Sequence, residues 1–405
     1  MLANACSWKT TSMSRIRSRA AGLVLGGVMA LQVSAAPQTT QNPQTDHASL
    51  WQAYAARFIS GDGRVLDPQV GDRTTSEGQS YALFFALVNN DRVRFDKIAT
   101  WTQNNLASSD LGTHLPAWSW GKAKDGHWGT LDSNSASDSD LWIAYDLIEA
   151  GRLWNDAHYS ALGRRLAELM ARKEVSNLPG LGPAVLPAAA GFSFPHFWVL
   201  NPSYSPVFIL NRLATVDPKG PWANVAMGVP SLIERSAKNG FAMDWVCYGP
   251  GQGFTPCLSN GHKSPEPVGS YDAIRVYTWA GMLPDGDSYK SRILKALPGM
   301  DLYFQSHTAP PEKINSEGVP MKQDGPVGFS AALLPYLSSL GDQAAVAQQL
   351  VRIKSQLDEK SNLYGAGYGT GPTYYDQNLV LFGSGWIEKR FQFGSSGELL
   401  VRWSR

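Results

Sequence analysis

The chain has only three cysteines in 405 residues, and its seven histidines are scattered. No His-Glu-x-x-His and no His/Cys cluster is present, which argues against zinc. There is no Gly-x-Ser-x-Gly elbow and no Walker loop. Gly365-Ala366-Gly367 and Gly369 make a short glycine-rich run, but no strand and helix flank it in the order a nucleotide site needs. Charge of one sign is missing too: 35 Lys plus Arg stand against 34 Asp plus Glu. No metal and no cofactor are expected.

One apolar run stands out, Ala20 to Val33, preceded by Arg15, Arg17 and Arg19 and followed by Val33-Ser34-Ala35. This is the pattern of a secretory signal peptide, with cleavage expected after Ala35. The run is shorter than the roughly 20 residues of a membrane span. Met13 is an alternative start to Met1. Loss of residues 1–35 takes Lys plus Arg from 35 to 31 with no acid removed, so the formal charge moves from +1 to −3. No basic field then remains to attract nucleic acid or an anionic membrane. A periplasmic or secreted protein without a membrane span is expected. Of the cysteines, Cys247 and Cys257 survive cleavage, and export puts them where disulfides persist. A bridge stapling their Gly/Pro-rich loop is expected; two free thiols are the alternative.

Residues 36–48 read as a flexible leader, and 49–405 as one domain without a linker. Its segments are mainly amphipathic helices between Gly/Pro loops. Helices fit 78–89, 92–106, 140–154, 157–172, 204–214, 222–236, 271–281, 288–296, 328–337 and 343–357. Strand signals are short: Trp118–Trp120, Phe241–Val246, and Trp386–Phe393 pairing with 398–403. Stacked helical hairpins of this kind build a solenoid or close into a ring.

Three stretches carry chemistry. In Thr75-Ser76-Glu77-Gly78, Ser76 reads as an N-cap and Glu77 stands at the helix mouth. Desolvation there would give it the raised pKa of a general acid. Asp132, Asp138 and Asp140 crowd the segment before the strongest helix with four serines and Asn134. Asp138 or Asp140 is expected to cap that helix, and the surplus oxygens suit sugar hydroxyls. An oxygen-rich Ca²⁺ loop fits less well, because the 12-residue spacing with its closing Glu is missing. In Tyr271-Asp272-Ala273-Ile274-Arg275, Asp272 and Arg275 share a helix face at i, i+3, so Arg275 could hold Asp272 ionised as a general base. Trp118, Trp120, Trp128, Trp198 and Tyr204 lie near polar loops, and two of the five are expected to stack on sugar faces.

With Asn201-Pro202-Ser203-Tyr204 and Tyr374-Tyr375-Asp376-Gln377-Asn378, these stretches resemble glycoside hydrolase family 8 over roughly Trp51 to Trp403. The likeness is nearest to the periplasmic cellulase encoded with bacterial cellulose synthase. The resemblance implies an all-α fold, an (α/α)6 barrel with few strands, and inverting endo-β-1,4-glucanase activity on a β-1,4-glucan chain. Xylan, chitosan or lichenan are alternative substrates, and a non-hydrolytic glucan-binding protein is the rival class. It further implies Glu77 as acid, Asp272 as base, Asp138 (or Asp140) as the residue gripping the sugar, and Arg275 orienting the base. Trp118, Trp120, Asn134, Tyr204 and Tyr271 would join Arg275 in binding substrate. A monomer acting beside the cellulose synthase complex is expected.

Overall fold

The computed structural model describes residues 46–403 except 263–266, 323 and 366–370. The expected signal peptide and the leader up to residue 45 lie outside the described residues. Thirteen helices are found among those described: α1 His47–Phe58, α2 Ser76–Val88, α3 Arg92–Leu106, α4 Ser137–Leu153, α5 Ala157–Lys173, α6 Val207–Val216, α7 Trp222–Ser236, α8 Ala273–Met282, α9 Lys290–Ala296, α10 Pro298–Phe304, α11 Val327–Leu340, α12 Gln343–Ser355 and α13 Tyr374–Ile387.

Burial sorts them into two rings. α2 buries every residue except Glu77, and α8 buries all ten of its residues. A helix that is apolar all round belongs inside a core. By contrast, α5 buries only a stripe that includes Tyr159, Leu162, Leu166 and Met170. Each inner helix packs on an outer one: α2 on α3, α4 on α5, α6 on α7, α8 on α9, α11 on α12, and α13 on α1. Neighbouring inner helices touch around the ring, and the turn Pro202–Tyr204 bridges α4 and α8. The result is the expected (α/α)6 barrel.

Aromatic rings fill the axis. Trp142 of α4 lies 4.9 Å from Phe84 of α2, 5.8 Å from Phe208 of α6, 5.4 Å from Trp279 of α8 and 5.3 Å from Phe382 of α13, centroid to centroid. Such rings bury large apolar areas and prefer tilted or edge contacts. Two glycines let inner helices close up. A Cβ at Gly281 would sit 2.2 Å from the Pro335 carbonyl carbon, and one at Gly383 2.1 Å from the Ala331 oxygen. No helix among the described residues is long and apolar enough to cross a membrane.

The connections are unequal. Inner-to-outer turns are short, as at 89–91, 154–156 and 341–342, whereas outer-to-inner segments are long, as at 107–136, 174–206 and 237–272. Every described strand lies in an outer-to-inner segment, apart from the hairpin Phe391–Phe393 with Leu399–Val401 after α13. Thr74–Thr75, Ser119–Lys122 and Trp128–Asp132 form one three-stranded sheet.

Several boundaries differ from expectation. His47 and Ala48 are the first turn of α1 rather than leader, because Asp46 caps that helix through Ala48 N and His47 is buried. Trp386 and Ile387 stay helical in α13, so the late strand begins at Phe391. Pairing near Phe241 begins only at Val246, apart from an isolated bridge between Lys238 and Phe241. Ala242 N instead donates to the Tyr277 hydroxyl.

Cys247 and Cys257 are joined in a disulfide, Cα to Cα 5.6 Å, across the hairpin Val246–Gly249 with Gly253–Pro256. A bridge closing so short a loop contributes about 2–3 kcal/mol by restricting the unfolded chain. The Cys247→Ser/Cys257→Ser variant should therefore unfold in urea with ΔG lower by about that amount. An unchanged midpoint would show that the bridge does not stabilise the fold.

Candidate active site

The mouths of α2, α4 and α8 meet at Arg275. Thr75, extended at φ −111°, ψ 150°, is the N-cap of α2 and accepts from Gly78 N at 3.1 Å. Ser76, expected in that role, is instead the first helical residue, and its hydroxyl has no hydrogen-bond partner among the described residues. Glu77 follows, its side chain 21% exposed. The backbone of Trp118 ties this segment to the acidic one, accepting from Ser76 N at 3.0 Å and donating to Asn134 O at 2.8 Å.

The helix α4 is capped differently from expectation. Ala136 is its N-cap, without a side-chain bond, and neither Asp138 nor Asp140 caps it. Instead Asp138 Oδ1 accepts from Ser139 N at 2.7 Å, and Oδ2 accepts from Arg275 Nη1 at 2.8 Å. Asp140 points away and is fully buried. At α8 the capping is done from outside. Asp244 Oδ1 accepts from Ser270 N at 2.7 Å and Ala273 N at 2.8 Å, while Asp244 Oδ2 takes the Ser270 hydroxyl. Asp272 is thereby released from capping and faces the cleft.

Arg275, 3% exposed, holds all three carboxyl groups. Its Nη1 donates to Glu77 Oε2 at 2.9 Å, to Asp138 Oδ2 at 2.8 Å and to the Tyr81 hydroxyl at 3.0 Å; its Nη2 donates to Asp272 Oδ1 at 2.5 Å. The guanidinium carbon lies 5.5 Å from the Tyr204 ring centroid. Glu77 and Asp272 therefore sit on different nitrogens of one planar group.

Burial pushes the Glu77 carboxyl up to about 7; Arg275 opposes this, and Asp138 and Asp272 reinforce it. Burial likewise pushes Asp272 up to about 6, again opposed by Arg275 and reinforced by Asp244 and Asp138. Both carboxyl groups are thus shifted from the ordinary carboxylate range towards neutrality. A cavity of about 460 Å³ is lined by Arg73, Tyr271, Glu312, Tyr374 and Tyr375 among others, and so borders the residue before Asp272 and the tyrosine beside Glu77.

The sequence profile of glycosyl hydrolases family 8 matches residues 21–389. The chain is a member of glycosyl hydrolase family 8. An endoglucanase of Xanthomonas axonopodis pv. citri (strain 306) is 44% identical to it over 392 residues, 96% of this chain and 98% of the relative. An endoglucanase of Escherichia coli (strain K12) is 41% identical, covering 88% of this chain and 91% of its own. The crystal structure of an endo-1,4-D-glucanase from Vibrio fischeri ES114 matches with TM-score 0.80 at 40% identity, over 87% of this chain and 99% of that one. Family-8 enzymes are inverting glycosidases, and so is this family-8 hydrolase.

Not every expected ligand-binding residue reaches the Arg275 cluster. Tyr204 does, through its ring. Tyr271, 41% exposed, lines the cavity, and its carbonyl accepts from the Tyr375 hydroxyl at 2.6 Å. The Asn134 amide is taken up locally: Nδ2 donates to Ala190 O at 3.0 Å and Oδ1 accepts from Ser135 N. Trp120 stacks on Trp128 at 5.5 Å, and Arg64 lies about 5 Å over both rings; Trp128 is the more exposed of the pair, at 46%. Trp118 stays half-buried beneath Arg73.

Sequence reasoning on the family-8 hydrolase assigned no role to Tyr81, Asp244 or Tyr374. Tyr374, at the start of α13, lies beside the Glu77 carboxyl, whose rise it opposes, and 3.4 Å from Thr75 Oγ1. Its signal was present, since Tyr374-Tyr375 opens one of the stretches that carry the family resemblance.

Proposed function

We propose that this enzyme is an endo-β-1,4-glucanase in which Glu77 is the general acid and Asp272 the general base. One observation carries the reading: a single buried guanidinium holds Glu77, Asp138 and Asp272 at the open end of a barrel whose axis is plugged. A glucan chain therefore lies across the barrel end and is cut internally. Protonated Glu77 donates to the glycosidic oxygen as the C1–O bond breaks. Asp272 takes a proton from the water that attacks C1 from the opposite face. Asp138 grips a sugar hydroxyl and favours a distorted ring, while Arg275 keeps the three carboxyl groups in place. Asp138 suits the gripping role better than Asp140, which has no exposed surface.

Export to the periplasm or beyond, and service to a cellulose synthase, belong to the same reading. The basic and apolar run within residues 1–35 and the disulfide support export.

The test is hydrolysis of carboxymethyl cellulose with NMR of the first product. The new end should be the α-anomer, and a β-anomer would rule out this assignment of roles. The pH profile follows from the two raised carboxyl groups. Asp272 must be ionised, so kcat/KM should fall below about pH 6. Glu77 must be protonated, so it should also fall above about pH 7. A plateau extending beyond pH 9 would remove Glu77 from the acid role.

A further inference from the structure

A second pair of carboxyl groups stands behind the site and takes no part in the reaction above. Asp140 in α4 and Glu174, the residue that ends α5, are both 0% exposed. Their carboxyl groups are neighbours across the contact between α4 and α5, close enough for each to act on the other. Glu174 Oε1 accepts from the Ser135 hydroxyl at 2.6 Å, and that hydroxyl accepts from Ala189 N at 3.0 Å. Among the described residues, neither oxygen of Asp140, and not Oε2 of Glu174, receives a bond from an N–H or hydroxyl donor.

Two carboxylates are acceptors only, so a bond between them requires a proton on one. Like charges in contact, out of water, cannot both ionise. The ionisable group that acts on both members is Asp138, two residues before Asp140 in α4. From the far side Asp138 faces Arg275, with Tyr204 and Tyr81 beside it.

We propose that Asp140 and Glu174 share one proton and form a buried, singly charged acid pair that positions Asp138. The proposal rests on the reading of Asp138 as the residue that grips the sugar. With one proton, the pair fixes the first turn of α4 against the end of α5. Loss of that proton would put a second negative charge directly behind Asp138 and pull Arg275 away from Glu77 and Asp272. Burial works against that loss, pushing Glu174 up to about 8 and Asp140 well above the ordinary carboxylate range.

The test uses variants that keep or remove the shared bond. Asp140→Asn and Glu174→Gln each replace the shared proton by a fixed N–H and keep one negative charge. Each should retain kcat at pH 6 within about threefold, a small part of what one hydrogen bond contributes. Asp140→Ala leaves Glu174 Oε2 unpartnered and should lower kcat about 10–100-fold, the cost of one unsatisfied buried group. In the Glu77→Gln background, the affinity for a cello-oligosaccharide should weaken above about pH 8. Adding Asp140→Asn should abolish that weakening. Without substrate, the infrared difference between Glu77→Gln and Glu77→Gln/Asp140→Asn at pH 7 should show one protonated-carboxyl C=O band. Absence of that band overturns the proposal, as does an Asp140→Asn variant as impaired as Asp140→Ala. The infrared result requires neither binding nor turnover, so it stands or falls separately from the glucanase reading.

Discussion

Glu77→Gln is expected to lower kcat on a cellulosic substrate by about 10²–10⁴-fold or more while leaving oligosaccharide affinity within a few-fold, since a positioned general acid contributes on that order. The substitution is close to isosteric. A glutamine oxygen can still accept from Arg275 Nη1, which now sits 2.9 Å from Glu77 Oε2. What is lost is the proton that the leaving oxygen needs. Because burial holds the Glu77 carboxyl near 7, it is largely protonated at pH 6, so the change of charge there is small and stability should hardly move. Two further signs identify the role. Residual activity should lose its alkaline limb, since the group that sets it is gone. An aryl glycoside whose phenol leaves without protonation should recover turnover in Glu77→Gln but not in Asp272→Asn. Near-normal turnover of Glu77→Gln on cellulose derivatives would exclude it as the acid.

The second large effect is expected at Arg275. Arg275→Met would leave three carboxyl groups and the Tyr81 hydroxyl without their common donor. Breaking a buried ion pair by removing one partner typically costs about 3–5 kcal/mol. Arg275 lowers the pKa of both Glu77 and Asp272 against burial. Without it both rise further, Asp272 is protonated at pH 6, and the general base is lost, so kcat should fall at least about 10³-fold, the equivalent of some 4 kcal/mol. The stability loss has a defined pH sign. Carboxyl groups with raised folded pKa values favour the fold when protonated and oppose it as pH rises through those values. Urea unfolding of Arg275→Met should thus show a small deficit at pH 5 and a larger one at pH 8. A deficit independent of pH would mean that Arg275 serves packing rather than charge. Arg275→Lys should rescue little, because a single ammonium cannot reproduce a planar fork that reaches Glu77, Asp138 and Asp272 from two nitrogens.

Much of this was legible in the sequence where the signal is local. The helices at 92–106 and 222–236 could be traced from apolar spacing, the one expected at 343–357 ends two residues earlier at Ser355, and Glu77, Asp272 and Arg275 stood out as candidates in short motifs. The helix α1 was hidden because Asp46 and His47 follow a Gln-, Thr- and Pro-rich stretch that masks its cap. Ser76 looked like a cap, yet Thr75 is the one held extended by pairing with Ser119. The pairing of Asp272 with Arg275 could be read at i, i+3, but not the reach of Arg275 to Glu77 198 residues away. The capping of α8 by Asp244 was equally invisible, since it comes from a separate segment. Asp140 looked like a cap or a sugar ligand. Its burial against Glu174 depends on how α4 and α5 pack, which no run of residues records.

The unequal connections of the barrel divide the molecule into a part that is hard to change and a part that is easy to change. The short turns at 89–91, 154–156 and 341–342 leave little slack, so lengthening them would disturb the helical rings. The long segments at 107–136, 174–206 and 237–272 border the cleft and already carry strands, the disulfide and Trp128. Lengthening a surface loop costs little, about 0.6 kcal/mol for each doubling. Descent with modification therefore has an inexpensive route to new polysaccharides here: insertions accumulate on the cleft side while the helical rings remain untouched.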